Sequence, residues 1–365
     1  MTKRQWWQRF IAHIDPPLML GLGLLMLTSL VVLYSADDGH WGQPLKQLLN
    51  IMVGLFCMWV VANLPLHYLM RTAVPVYVLG MVLLIGVALF GEISHGARRW
   101  LNLGIITIQP SELMKIGVPL MMAWYFEKNE ATLTGKNFFI AALLLLVPVG
   151  LIARQPDLGT AILISASGFY VLFLAGLSWR VMGGMAVAVL ASTPFMWAML
   201  HDYQRHRIEM LLDPSKDALG KGYHTIQGMI AVGSGGVFGK GYLEGTQTHL
   251  DFLPERTTDF IFAVFSEEFG LIGNLMLIGM FLLVIGRGFI ITANASTYFT
   301  RLMAGSITLT FATYAFVNMG MVSGILPVVG VPLPMVSYGG TSMLTLLLGF
   351  GMLMSIETHK KLNKT

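Results

Sequence analysis

The chain has 365 residues, 55% hydrophobic and only 12% charged, and its mean hydropathy of +0.69 lies outside the range of water-soluble domains. Repeated apolar runs take the place of one aqueous core, so the chain reads as a polytopic membrane protein. The net charge of +4 is scattered over loops with no basic stripe interleaved with aromatics, which excludes a nucleic-acid groove, and the single Cys57 excludes a disulfide framework or Cys-based zinc site within one chain.

The tail MTKRQWWQRFIAHIDPP carries Lys3, Arg4, Arg9 and paired tryptophans, an interface-lying lead-in to a retained first span. Apolar runs then predict helices near 17–35, 46–64, 72–92, 111–126, 136–153, 158–176, 179–199, 259–286, 302–324 and 340–356. The expected fold is all-α: one membrane domain over 1–365 with about ten transmembrane helices and one long extracytoplasmic loop, about 200–258. Tails and short loops carry twelve Lys/Arg on one side (3, 4, 9, 71, 128, 136, 180, 287, 301, 360, 361, 364) against four on the other (46, 98, 99, 154). The side with twelve, which holds both termini, is therefore cytoplasmic.

Between the third and fourth spans, SHGARRWLNLGIITIQP sets Arg98, Arg99 and Trp100 at the outer surface. They serve either as an interfacial anchor or as a cation pair for a lipid-linked phosphate. In the fourth span Glu112 and Lys115 share a helical face. They either satisfy one another, or Lys115 reaches a substrate diphosphate that Glu112 helps to position. Asp157 precedes the sixth span as an N-cap, a cation ligand or a partner for Arg154.

The long loop contains Arg205 and Arg207, and its histidines (201, 206, 224, 249) match no zinc spacing. Its run GSGGVFGKGYLEG departs from a nucleotide-binding loop at both ends. It reads as a turn-rich segment that lets backbones approach, or as a cradle for a phosphorylated headgroup. LDFLPERTTDFIFAVFSEEFG follows, with Asp259 where polar sequence turns apolar. Such a carboxylate is a helix cap or, partly desolvated, a general base. If a helix starts there, Glu267 and Glu268 cannot both share its cavity. Near the C-terminus, ILPVVGVPLPMVSYGGTS, with Ser337, cannot be a lipid-exposed helix and should line a cavity or be buried in protein. No hydrolase elbow, internal repeat or pair of matching broken spans occurs, which argues against an inverted-repeat transporter.

PERTTDFIFAVFSEEFG, with RQPDLGT, QPSELMKI, GYHTIQGMIAVGSGGVFGKG and NMGMVSGILPVVGVPLPMVSYGG in order, closely resembles the SEDS (shape, elongation, division, sporulation) family, its elongation member above all. The resemblance implies a ten-span peptidoglycan glycosyltransferase that polymerises lipid II, an undecaprenyl-linked precursor, into β-1,4 glycan at the outer face of the bacterial cytoplasmic membrane. It also implies a class B penicillin-binding protein as partner. The family's essential aspartate falls on Asp259, while Thr257 stands where its members often have histidine.

On that footing the expected mechanism is inverting, with Asp259 as base. Lys115 and Arg99 would meet the departing diphosphate, Arg205, Arg207 or a divalent cation standing in reserve, and Glu112 and Asp157 would hold these groups. Trp100 and Ser337 complete the expected substrate-facing set, membrane lipid surrounds the spans, and no cofactor is required beyond an optional divalent cation. A lipid II flippase and a non-catalytic scaffold for the transpeptidase are the rival readings.

Overall fold

The structure, a computed structural model, describes residues 12–94, 97–102, 107–155, 157–200, 205, 209, 221–249, 253 and 255–362. Asp15 opens α1 (Pro16–Ala36): its carboxylate accepts the Leu18 amide at 3.1 Å, and the prolines that follow have no N–H to satisfy. α2 (Gly42–Ala62), α3 (Leu66–Phe90), α4 (Pro110–Lys128), α5 (Gly135–Arg154), α6 (Leu158–Leu174) and α7 (Trp179–Met199) follow. After α8 (Lys221–Ser234) and the short α9 (Thr246–His249) come α10 (Ile261–Ala293), α11 (Tyr298–Val322) and α12 (Gly340–Leu362).

A helix stands at each predicted span, and seven described helices, α1, α2, α3, α5, α10, α11 and α12, are long and apolar enough to cross a membrane. Packing centres on α11, which lies against α4, α6, α10 and α12 and buries Phe311 and Tyr314 among them. Its N-terminus is closed by a Thr297/Thr300 capping box and by Glu127 of α4, whose carboxylate accepts the Phe299 amide at 2.6 Å.

Two expectations need correction. The fold is nearly, not wholly, helical: β1 (Glu92–Ser94), β2 (Ala97–Asn102) and β3 (Thr107–Ile108) form an antiparallel sheet in the connection before α4. Strand pairing satisfies backbone groups there that an irregular loop would leave to water. The long segment before α10 contains α8 and α9 where it is described. Finally, α10 begins at Ile261 rather than Asp259, and it is broken at Gly270 (φ 62°, ψ −159°), a conformation open to glycine alone.

Crossing partners supply the hydrogen bonds that this break removes. The carbonyls of Glu267 and Glu268 accept the amides of Lys240 and Gly241 at 3.0 and 3.1 Å, and the amides of Leu271 and Ile272 donate to the carbonyls of Gly236 and Val237 at 2.9 and 3.1 Å. The glycine-rich run is thus a backbone splint, which bears out its reading as a segment of close approach. A Cβ on Gly239 (φ 81°) would fall 2.0 Å from the Glu268 carbonyl oxygen. Gly239→Ala is therefore expected to destabilise the protein by about 1–3 kcal/mol, read as a lower unfolding temperature in detergent.

At the opposite end of the bundle, Arg287 of α10 forks onto Asp15 (2.9 and 2.7 Å) and reaches Glu357 of α12 at 3.2 Å. Beside them His13 stacks on His359 with ring centroids 4.6 Å apart. Burial, then the charge of His359, hold the His13 imidazole below its ordinary value. The fold therefore favours neutral His13, so this contact stabilises fully above about pH 6.5 and loses its contribution as pH falls further. Unfolding temperatures measured from pH 7.5 to 5.5 should fall more steeply for the unaltered chain than for His13→Gln.

Candidate active site

From Glu255 the chain makes a double turn in which the amides of Thr258 and Phe260 both donate to the Glu255 carbonyl, at 3.1 and 3.2 Å. The Thr258 hydroxyl donates to the Glu255 carboxylate at 2.7 Å, and Glu255 itself adopts the left-handed conformation (φ 56°), a strained choice for a residue with a side chain. Three successive carbonyls of this turn are then held from outside. The Tyr338 amide donates to Thr257 at 2.9 Å, the Ser337 hydroxyl to Thr258 at 2.6 Å, and the Asn318 carboxamide to Asp259 at 2.9 Å.

The same groups bind the turn to the segment between α11 and α12. Asn318 also donates to the Val331 carbonyl at 2.7 Å, and the Ser337 hydroxyl accepts the Leu333 amide at 2.8 Å. Both hydrogen bonds found for the Ser337 hydroxyl thus go to backbone, so its place is that of a brace. Asp259 is half-buried, and a Cβ on Gly330 (φ 71°) would come within 3.4 Å of its Oδ2. Phe260, not Asp259, occupies the N-cap position of α10. The expected capping role does not hold, because the turn closes one residue later.

One helical turn from Asn318, Tyr314 is wholly buried against Val331 and Leu163. The Lys115 ammonium lies 5.4 Å from the Tyr314 ring centroid and 2.6 Å from Glu112, whose second oxygen accepts the Thr345 hydroxyl at 3.2 Å. Lys115 and Glu112 are thus paired, and Lys115 also borders an apolar cleft between α4, α11 and α12. Pro119, Ile307, Phe311 and Phe350 line that cleft, and the buried Thr310 hydroxyl beside it has no hydrogen-bond partner among the described residues.

Asp157 is the N-cap of α6: it accepts the Thr160 amide at 3.4 Å and the Gln109 carboxamide at 3.2 Å, and is nearly buried. Two residues on, Gly159 abuts the Val329 carbonyl, so Asp157 and Asp259 flank the same 329–331 segment. Arg205 closes the end of α7, donating to the carbonyls of Trp197 and Ala198 at 3.0 and 2.7 Å. Trp100 pairs with Glu92 across the sheet and is half-buried, Arg99 is its neighbour on β2, and Arg207 lies outside the described residues. Among the described residues no three His, Cys, Asp or Glu side chains cluster as a metal site would require.

Glu267 and Glu268 diverge, as the helical step implies. Glu267 accepts Lys240, Thr246 and the Gln247 amide, whereas Glu268 accepts the Ser35 hydroxyl of α1. Burial, then Glu268 and Tyr34, push the nearby Tyr242 hydroxyl up, so it stays a donor, to the Val31 carbonyl at 3.0 Å. Asn318, Tyr314 and Gly330 were not singled out from sequence. An amide inside the apolar run of α11 is the signal that could have found Asn318.

The model of FtsW/RodA/SpoVE cell cycle proteins matches residues 14–362. The chain belongs to this family. Among FtsW/RodA/SpoVE relatives, the peptidoglycan glycosyltransferase MrdB of Escherichia coli is 50% identical over 362 residues, 99% of this chain and 97% of that protein. The MrdB of Helicobacter pylori is 36% identical over 97% of this chain and 91% of its own. A solved chain from a peptidoglycan synthase complex that coordinates polymerization and crosslinking superposes with a TM-score of 0.80 at 32% identity, covering 94% of this chain and 97% of that one. The rod shape determining protein RodA of Thermus thermophilus, in a variant with one aspartate replaced by alanine, gives 0.71 at 27% identity, over 95% and 97%.

Proposed function

We propose that this protein is a peptidoglycan glycosyltransferase that polymerises lipid II into β-1,4 glycan at the outer face of the bacterial cytoplasmic membrane, during elongation. Ten apolar runs put both termini on one side, the charge asymmetry makes that side the cytoplasm, and a class B penicillin-binding protein is its crosslinking partner. The observation that carries the chemistry is the turn at Thr257–Asp259, whose three carbonyls are each fixed by a separate donor. Such bracing sets a carboxylate in place before substrate arrives, which is what base catalysis needs.

Asp259 takes the proton from the 4-hydroxyl of the acceptor sugar as that oxygen attacks the donor's anomeric carbon. The bond from that carbon to the diphosphate breaks, the α-linkage becomes β, and the diphosphate leaves with its electron pair. Lys115 meets that charge, with Arg99 or a divalent cation beside it, while Glu112 and Asp157 hold the cations in position. Arg205, two of whose guanidinium N–H groups are engaged at the end of α7, stays in reserve. The cleft beside Lys115 is apolar and suits an isoprenoid chain, so head and tail of one lipid can be held together.

The purified full-length chain, with its partner present, should convert lipid II to glycan resolvable by gel. A flippase or a scaffold would move or recruit lipid II and leave it unpolymerised.

A further inference from the structure

The break at Gly270 makes Ile261–Phe269 a short helix of its own, buried from Ile261 through Glu268, and Asp259 lies two residues before it. A helix this short has little stability alone, so its orientation is decided by what grips it. Two acids on it are gripped from different directions. Glu267, whose side chain is 0% exposed, takes the Lys240 ammonium at 2.7 Å, the Thr246 hydroxyl at 3.0 Å and the Gln247 amide at 3.1 Å. Glu268, about 100° further round the helix, takes Ser35 of α1.

Turning the short helix by one residue would carry Glu267 away from Lys240 and bring Ser266 or Glu268 toward the ammonium, leaving the buried Glu267 carboxylate without its cation, which is strongly unfavourable for a desolvated charge. The mechanism above uses neither Lys240 nor Glu267. We propose that Lys240 and Glu267 are positioning residues for the polymerisation: their ion pair fixes the rotation and height of the helix Ile261–Phe269, and thereby the place where Asp259 meets the acceptor hydroxyl. This rests on Asp259 being the base. A carboxylate displaced by about 1 Å from a reacting proton loses on the order of 10²-fold in rate without any change in substrate binding.

The test is steady-state polymerisation of lipid II by the full-length protein, comparing Glu267→Gln, Lys240→Met, Lys240→Arg and Thr246→Val with Asp259→Asn. Glu267→Gln and Lys240→Met should each lower kcat by about 10²-fold per folded molecule with KM for lipid II unchanged. Thr246→Val should give a smaller fall in kcat, again with KM unchanged. Lys240→Arg, which keeps the ion pair, should restore kcat.

If Lys240→Met fails to fold, Glu267→Gln and Thr246→Val decide the question. Unchanged kcat in both overturns the proposal, as does a raised KM at constant kcat, which would make these residues substrate ligands. Failure of Lys240→Arg to rescue overturns it as well. An active Asp259→Asn would sink the base assignment and this proposal with it. An inactive Asp259→Asn beside a fully active Glu267→Gln sinks the positioning role alone.

Discussion

Replacing Asp259 by asparagine should lower glycan polymerisation from purified lipid II by about 10²–10⁴-fold, the range that a positioned general base contributes. Asparagine keeps the side chain's shape, and the three bonds that hold the turn involve the carbonyls of residues 257–259, not this side chain. Unfolding temperature and binding of the transpeptidase partner should therefore stay near those of the unaltered chain. Polymer made at the ordinary rate by Asp259→Asn would remove the base from the mechanism.

Lys115→Met should act on two quantities at once. Removing a cation aimed at a departing diphosphate is expected to cost about 10²–10³-fold in rate, by analogy with the loss of one charge-stabilising donor. It also strands Glu112, whose side chain is only 13% exposed and keeps, among the described residues, the Thr345 hydroxyl as its remaining bond, so stability should fall by about 3–5 kcal/mol. Pairing the change with Glu112→Gln relieves the stranded charge and should recover much of that stability. Activity should stay low in the double variant; if it returned along with the stability, Lys115 and Glu112 would be a structural pair and nothing more.

Much of the fold was legible because hydropathy over about twenty residues reports a spanning helix directly. Pair geometry was legible where it is local: Glu112 and Lys115 lie three apart on one helix, and Asp157 caps the helix it precedes. What could not be read depends on distant partners. The sheet at β1–β3 contains ARRW, whose arginines and tryptophan fit an interfacial loop equally well. The start of α10 moved from Asp259 because Phe260 donates its amide back to Glu255 and Asn318 takes the Asp259 carbonyl, neither of which a helical period encodes.

The break at Gly270 is the clearest case. A glycine inside an apolar run is ordinary in membrane helices, and only the crossing segment Gly235–Gly241 makes an interruption there affordable in backbone hydrogen bonds. The same crossing explains why the glycine-rich run resembles a phosphate loop without being one. Its amides from Lys240 and Gly241 are aimed at protein carbonyls, and its glycines answer a need for close approach.

The braces on the Asp259 turn also set an order of events during synthesis. Asn318 lies 59 residues downstream of the carbonyl it holds, and Ser337 lies 79 residues downstream of its own. While α11 is still being made, neither brace exists, and the bonds within the turn to the Glu255 carbonyl precede them. The turn therefore reaches its braced form only after the segment before α12 has been made and has folded back onto it.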